Sequence, residues 1–159
     1  MFDTVSSKAL FTKIISIIET GRRTAYTAVN TEMVLMYWNI GEAIKTDILG
    51  NEKAEYGKAV LAELGRNLTL QYGRGFSGRN LFNMLKFYEM FNNKQILQTL
   101  SAKLSWSHFC KLMYIEDDTQ RDFYTTMAIN EHWSVRTMNE RINSMLFERT
   151  LISKKPEGT

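Results

Sequence analysis

The chain has 159 residues, of which 44% are hydrophobic and 12% aromatic, and this suits one globular domain with a hydrophobic core. No apolar run approaches the ~20 residues that span a bilayer, and the N-terminus lacks a signal-peptide pattern, so we expect no membrane partner. The single cysteine, Cys110, permits no internal disulfide, which fits a reducing, cytoplasmic compartment.

The net charge of +3 is small, but its location along the chain is informative. The stretch from Lys58 to Phe91 carries five bases and two acids, whereas the rest of the chain carries 15 of each. The five bases are Lys58, Arg66, Arg74, Arg79 and Lys86. Such a local excess is compatible with a polyanionic partner, and an ordinary solvated face is the alternative interpretation.

Apolar spacing predicts helices in the first third of the chain. From Ser6 to about Val29, apolar residues recur at three- and four-residue steps, which predicts a long helix weakened at Gly21. Asn30 is expected to cap a second helix, from Thr31 to about Leu49.

Within that second helix, two residues predict how it packs. Trp38 is interpreted as a core residue rather than a nucleotide-stacking one. Gly41 costs about 1 kcal/mol relative to alanine inside a helix, which indicates that a neighbouring helix packs closely there.

The middle of the chain predicts a helix, a tight turn and another helix. The first of these helices runs from about Ala54 to Tyr72. The glycine-rich turn Gly73–Gly75 follows, and Ser77 is a good N-cap for a helix that ends near Phe91. Phe76 and Leu81 stand at the spacing of a hydrophobic staple, which supports a helix start at this point.

The last third of the chain is predicted to be helical as well, except for one segment whose secondary structure the sequence does not decide. Residues 94–104 fit either a short helix or a small hairpin, and the presence of a β wing around residues 92–104 is left open. Later N-caps are predicted at three points along the chain. They are Ser105, Asp117 or Asp118, and Ser134, opening helices to about Ile115, Ile129 and Arg149.

The chain shows no internal repeat and no interior boundary, so residues 1–152 are assigned to one mainly α domain. Residues 153–159 are interpreted as a polar tail or the start of a linker. The heptads are not sustained enough for an extended coiled coil, whereas a shorter helical dimer seam is left open.

Residues 72–91 give the densest functional signal. Helix, glycine turn and helix in this order are typical of a helix-turn-helix, whose second helix presents its N-terminal residues to a DNA major groove. The predicted DNA-binding residues are Arg74, Ser77, Arg79, Asn80 and Lys86. Of these, Arg74 is expected to contact phosphate, while Arg79 and Asn80 can reach base edges.

Other chemistry has weaker support. Gly73, Gly75 and Gly78 match G-x-G-x-x-G, but a helix pattern rather than a strand precedes them, so we interpret them as a turn. His108, His132 and Cys110 have no recognised metal spacing and are interpreted as structural. The acids at residues 116–118 are interpreted as a solvated helix start. We therefore expect no catalytic residue, metal or cofactor in this chain.

Several sequence blocks together resemble a known family. These blocks are Tyr37-Trp38-Asn39-Ile40-Gly41, Tyr56-Gly57, Gly75-Phe76-Ser77-Gly78-Arg79-Asn80-Leu81, Phe87-Tyr88, Leu104-Ser105-Trp106-Ser107-His108, Arg121-Asp122-Phe123-Tyr124 and Trp133-Ser134. The chain resembles the N-terminal domain of the YhcG family of bacterial and phage-associated proteins, in the same order from about residue 10 to 152.

The resemblance implies a winged-helix-like or related DNA-binding domain joined to a C-terminal PD-(D/E)xK nuclease domain. That nuclease core needs an acid two positions before a lysine, so that carboxylates hold a divalent metal beside it. None of the eleven lysines here has such an acid. We therefore expect the catalytic half to be missing from this chain. The chain would then be either a shortened form of a longer protein or a gene product that naturally ends near Pro156.

Two functions from different classes follow. The first is a non-catalytic DNA-binding and assembly module of a YhcG-like nuclease, with DNA and the C-terminal nuclease domain of the same protein as partners. The alternative is a protein-interaction or homodimerisation module without direct DNA contact. In that case the exposed face of the long first helix would carry the function.

Overall fold

The computed structural model describes residues 4–48 and 54–154, and within these ranges the chain forms eight helices and no strand. The helices are α1 (Thr4–Ile48), α2 (Ala54–Tyr72), α3 (Gly78–Met90), α4 (Lys94–Ser101), α5 (Trp106–Leu112), α6 (Asp118–Asn130), α7 (Val135–Asn143) and α8 (Leu146–Lys154). The mainly α prediction is confirmed. In this part of the chain no helix combines the length and apolarity that crossing a membrane requires.

Helix α1 is one uninterrupted element of 45 residues, about 67 Å long at 1.5 Å per residue. The predicted break at Asn30 is wrong, and Gly21 does not end the helix either. The Asn30 amide is committed to tertiary contacts instead, because its Nδ2 donates to the carbonyl oxygens of Ser101 (2.7 Å) and Leu104 (2.9 Å). Asn30 therefore connects α1 to the α4–α5 junction through two hydrogen bonds.

The C-terminal half of α1 forms one wall of the core. Val34 and Trp38 are buried, and the Trp38 indole Nε1 donates to the carbonyl oxygen of Phe91 at 2.6 Å. A Cβ on Gly41 would collide with the backbone carbonyl of Met84 in α3, so the close packing predicted at this glycine is confirmed.

The buried residues form two clusters. The larger lies under α1, α3 and the later helices and includes Phe87, Phe109 and Tyr124. The smaller joins α1, α2 and α3 through Ile44, Leu61, Leu81 and Met84. Trp106 packs against both clusters, so α3 is held by a continuous apolar layer.

Helix starts follow the predicted caps. Ser77, Ser105, Asp117 and Ser134 are each N-caps whose side chains accept a backbone N–H of the next turn. The segment 94–104, whose secondary structure the sequence does not decide, contains α4, capped by Asn93. A winged-helix-like unit is therefore not confirmed, since the described residues contain no strand and a helix lies where a wing could form.

The predicted final helix is divided in two. Its continuity from Ser134 to Arg149 is wrong because α7 ends at Asn143 and Met145 adopts a positive φ of 60° before α8 begins. Helix α8 continues to Lys154, beyond the proposed boundary at residue 152. Residues 155–159, including Pro156 and most of the predicted tail, lie outside the described residues.

Candidate nucleic-acid interface

The turn between α2 and α3 is built on two glycines with left-handed backbone. Gly73 has φ 83° and Gly75 has φ 109°, conformations that glycine adopts without the steric cost of a Cβ. The Gly73 N–H donates to the Thr69 carbonyl oxygen at 2.8 Å and closes the end of α2. Because α2 precedes this turn and α3 follows it, the interpretation of these glycines as a turn between two helices is confirmed.

Ser77 then fixes the start of α3. Its Oγ accepts the Asn80 N–H at 3.3 Å, and its carbonyl oxygen accepts the Leu81 N–H at 2.9 Å. Phe76 is half-buried and packs on the same small cluster as Leu81, as the predicted staple requires. The turn and first coil of α3 are therefore held by both polar and apolar contacts.

Close backbone contact with α2 positions α3. A Cβ on Gly65 would collide with the backbone of Gly78, so the first residue of α3 lies directly against the middle of α2. Further along α3, Leu81, Met84 and Phe87 are buried on one side of the helix. These contacts leave the opposite side of α3 facing solvent.

The solvent side of α3 carries Arg79, Phe82, Asn83 and Lys86. Positions 79, 82, 83 and 86 follow i, i+3, i+4 and i+7, so they form one face of the helix. Arg79 is exposed, Phe82 is 48% exposed, and Asn83 and Lys86 are half-buried. This face therefore combines two bases with a partly exposed aromatic side chain.

Tyr114, which follows α5, joins this face from another part of the chain. Its hydroxyl donates to Asn83 Oδ1, and Lys86 Nζ lies 5.1 Å from the centroid of its ring. Tyr114 is itself 52% exposed. We name the set Arg79, Phe82, Asn83, Lys86 and Tyr114 the α3 outer face.

The five predicted residues are not all on this face. Arg79 and Lys86 share it, about 10 Å apart along the helix axis. Asn80 is about 100° further around α3 and half-buried, and the Ser77 hydroxyl is engaged in the cap. Arg74 is exposed on the turn.

Arg66 lies near the start of α3, although it is on α2. It is exposed and lines a mainly apolar groove of about 570 Å³ together with Thr69, Leu70, Ser77 and Gly78. Arg66 belongs to the local charge excess of the sequence, but it is not among the five predicted DNA-binding residues. The packing of Gly65 on Gly78 is what brings it beside the turn.

The one acid of α3, Glu89, is paired with a base on α1. Glu89 is exposed on α3, and its Oε1 lies 3.4 Å from Lys45 Nζ on α1. Both side chains are about two-fifths exposed, so the pair contributes little to stability. Its effect on the α3 outer face is to offset the one acid that α3 contains.

A serine and a histidine meet elsewhere, but they form a helix cap. Ser105 Oγ lies 2.9 Å from His108 Nδ1, and the same nitrogen accepts the Ser105 N–H at 3.1 Å. Because His108 Nε2 lies 2.8 Å from the Trp133 carbonyl oxygen, Nε2 carries the proton and donates. The pair closes a capping box on buried His108 and ties α5 to the α6–α7 connection, so the structural interpretation of this histidine is confirmed.

The acids at residues 116–118 also have local structural roles. Asp117 caps α6 by accepting the Gln120 N–H at 2.8 Å, and Asp118 pairs with the buried guanidinium of Arg121. Arg121 in turn donates to the Ile115 carbonyl oxygen at 2.6 Å. Across residues 4–48 and 54–154, no three His, Cys, Asp or Glu side chains gather where they could hold a metal ion.

Two titratable groups in the body of the domain have raised pKa values. Burial raises the pKa of the Cys110 thiol to about 11, which disfavours the reactive thiolate at neutral pH. Burial likewise raises the pKa of Tyr124, whose hydroxyl oxygen accepts the Phe147 N–H at 3.0 Å. Neither group adjoins the α3 outer face in the contacts described above.

Sequence reasoning missed three members of the α3 outer face. Phe82 and Asn83 are three and four residues after Arg79, so helical spacing alone could have identified them. Tyr114 is 31 residues from its hydrogen-bond partner Asn83, and no local pattern connects the two. Only the packing of α5 against α3 reveals its position.

These features define an all-helical domain in which α1 and α2 support a third helix with a basic and aromatic outer face. The chain matches the DUF1016 N-terminal domain family over residues 13–149 and belongs to that family.

The chain is also similar to one named protein. The chain is 29% identical over 170 residues to the protein of Escherichia coli (strain K12) named "Putative nuclease YhcG". That alignment includes 88% of the chain and 45% of the relative, so the chain spans less than half of the relative's length. No solved structure matches the chain. The predicted resemblance to the YhcG family is thereby confirmed.

Proposed function

We propose that this domain binds duplex DNA for a nuclease-family protein, using the α3 outer face, the α2–α3 turn and Arg66. The observation that carries the proposal is the pairing of Arg79 and Lys86 with exposed aromatic side chains on one rigidly backed helix face. The nuclease context comes from the name of the Escherichia coli relative. Catalysis is assigned to another part of such a protein.

The charges determine what each residue contributes. Arg66, Arg74, Arg79 and Lys86 supply attraction to phosphate, which gives affinity without sequence choice. The Asn83 Nδ2 can donate to a base edge, and Phe82 can contact a thymine methyl group. Four phosphate contacts predict a slope of about −3.6 for log K against log salt concentration.

The tight packing behind α3 supports this role. Gly78 lies against Gly65, and Met84 against Gly41, so α3 has little freedom to shift when a ligand binds. A binding face that is fixed before association loses less conformational entropy than a mobile one. Tyr114 restrains the Asn83 and Lys86 side chains further.

A salt-series binding titration with fluorescently labelled duplex, branched and single-stranded DNA tests the proposal. We expect duplex binding that weakens steeply with salt, and at least tenfold weaker binding by Arg79→Ala combined with Lys86→Ala. The matched control is Arg136→Ala on α7, which removes an exposed arginine remote in sequence from α3. Equal binding by the double variant and the parent would refute the α3 assignment.

The alternative, a protein-interaction or homodimerisation module without DNA contact, also has a specific observation in its favour. Residues 8–26 of α1 are all exposed and include several large apolar side chains. A sharply defined dimer with no DNA affinity at low salt would favour this function. A dimer that also binds DNA would support an association surface on α1 together with a DNA-binding surface on α3.

A further inference from the structure

The N-terminal half of α1 has exposed apolar residues, and no other element of the described chain packs over them. Six large apolar side chains between residues 10 and 18 are 42% to 66% exposed. They are Leu10, Phe11, Ile14, Ile15, Ile17 and Ile18. Monomeric proteins rarely leave so continuous an apolar surface facing water.

The sequence of this segment also opposes an isolated helix. It is rich in β-branched isoleucine and threonine, and it contains Gly21, all of which are weaker helix formers than alanine. Helices in proteins gain most of their stability by packing an apolar face. A partner is therefore needed to stabilise this half of α1.

One stripe of the segment follows a heptad pattern. Its members are separated by alternating steps of three and four residues, the spacing of a coiled-coil seam. We name them the α1 seam: Phe11, Ile14, Ile18, Gly21, Ala25 and Ala28. The first three are large and the last three are small.

We propose that a second copy of this chain packs antiparallel on the α1 seam. If the two-fold axis passes between Glu19 and Thr20, each large residue of one copy faces a small residue of the other. The three layers are Phe11 against Ala28, Ile14 against Ala25, and Ile18 against Gly21. Large residues opposite small ones keep the distance between the helices constant and fill the space between them.

A parallel pair would not have this complementarity. It would place Phe11 against Phe11 at one end and Ala28 against Ala28 at the other, so the two helices would diverge. In the single chain a Cβ on Gly21 would meet nothing within 4 Å, so the space beside this glycine is open to Ile18 of a second copy.

The positions beside the seam are compatible with the same alignment. Arg22 would face Ile15, so no like charges meet there. Ile17 would face Thr24, whose hydroxyl already donates to the Thr20 carbonyl oxygen at 2.9 Å and needs no further partner.

The available area is sufficient for a stable dimer. At about half exposure, a large aliphatic side chain offers roughly 100 Å² of apolar surface. The six large residues and Val29 therefore offer roughly 700 Å² per copy, close to the ~800 Å² per partner of a standard interface. This inference does not depend on DNA binding.

The first test is molar mass by light scattering during size-exclusion chromatography, at about 100 μM protein. We expect the parent to be a dimer and Ile14→Glu combined with Ile18→Glu to be a monomer. The matched control, Ile96→Glu on α4, changes another exposed isoleucine and should remain dimeric. Cooperative thermal unfolding of the double variant would show that its core remains folded.

Crosslinking tests the orientation, in a Cys110→Ser background. Ala28→Cys alone should form no disulfide between copies, because the two thiols of an antiparallel pair are about 25 Å apart along the axis. Mixing Phe11→Cys protein with Ala28→Cys protein should give a mixed disulfide. Self-crosslinking of Ala28→Cys would instead indicate a parallel pair and overturn the proposed alignment.

The remaining outcomes separate this inference from the proposed function. A parent protein that is monomeric at about 100 μM would refute the proposal that a second copy packs on the α1 seam. The α1 seam would then have to bind a different partner. A dimer that persists in the double glutamate variant would show that another surface mediates association. High salt should preserve the apolar dimer while it weakens DNA binding, so each proposal can fail alone.

Discussion

The two halves of α1 have the same secondary structure and opposite environments. Residues 8–26 are exposed without exception, whereas Val34, Trp38 and Ile44 of the other half lie in the core. Both halves are apolar and both repeat at helical spacing. Helical periodicity therefore identifies a face that must be covered, but it does not identify what covers it.

The difference lies in residues with specific tertiary partners. Asn30 and Trp38 each donate to a backbone carbonyl of another element, and Gly41 admits the backbone of α3. The exposed half has isoleucines and alanines, whose contacts are nonspecific, and Gly21, which has no close neighbour. Matched substitutions in the two halves can test this contrast.

The largest difference is expected for the aromatic residues. Trp38→Ala should lower the free energy of unfolding by about 3–5 kcal/mol, because it leaves a cavity and removes the donor to Phe91. Phe11→Ala should change it by less than about 0.5 kcal/mol in the monomer. Urea unfolding at low protein concentration measures both. Equal effects would mean that both halves of α1 are packed in the single chain.

Alanine at the two glycines should have opposite effects. Gly41→Ala places a Cβ against the Met84 carbonyl and should destabilise the fold by about 1–3 kcal/mol or more. Gly21→Ala meets open space and should stabilise the monomer by up to about 1 kcal/mol through helix propensity. Thermal unfolding of the two variants distinguishes the signs. A destabilised Gly21→Ala monomer would contradict the described exposure.

A smaller effect is expected at Asn30. Asn30→Ala should cost about 1–2 kcal/mol, because two carbonyl oxygens at the α4–α5 junction lose their donor. The control is Asn39→Ala, on the exposed side of the same helix, which should be neutral or slightly stabilising. The denaturant midpoints of the two variants measure this difference. An unchanged midpoint for Asn30→Ala would show that the two hydrogen bonds of Asn30 do not stabilise the fold.

The smallest effect is expected for the ion pair between α1 and α3. Lys45→Ala removes the partner of Glu89, but both side chains are about two-fifths exposed, so the change should stay below about 0.5 kcal/mol. Leaving Glu89 unpaired beside the α3 outer face should instead weaken DNA binding slightly at low salt. A loss of stability above 1 kcal/mol would show that this pair supports the packing of α3.

Local signals predicted much of the fold correctly. Serine and aspartate caps opened the predicted helices because their side chains accept the first free N–H groups within a few residues. Gly41 was predicted to contact a neighbouring helix for an equally local reason, its cost inside a helix. Such features depend on residues close together in the sequence.

The errors arose where distant residues decide the structure. Asn30 resembles a cap, but its amide bonds to carbonyl oxygens more than 70 residues away, so α1 continues through it. Met145 carries no glycine-like signal, yet it adopts the left-handed backbone that separates α7 from α8. For the candidate site, Arg79 and Lys86 were predicted to lie together, while Tyr114 and Arg66 required the packing of other helices on α3.

The central claim is that the α3 outer face contacts DNA phosphates, and the salt dependence of duplex binding tests it most directly. Log K should be measured against log salt concentration for the parent and for Arg79→Ala combined with Lys86→Ala. Loss of two phosphate contacts should make the slope less steep by about 1.8. An unchanged slope would contradict the claim, since the two bases would then make no contact with phosphate.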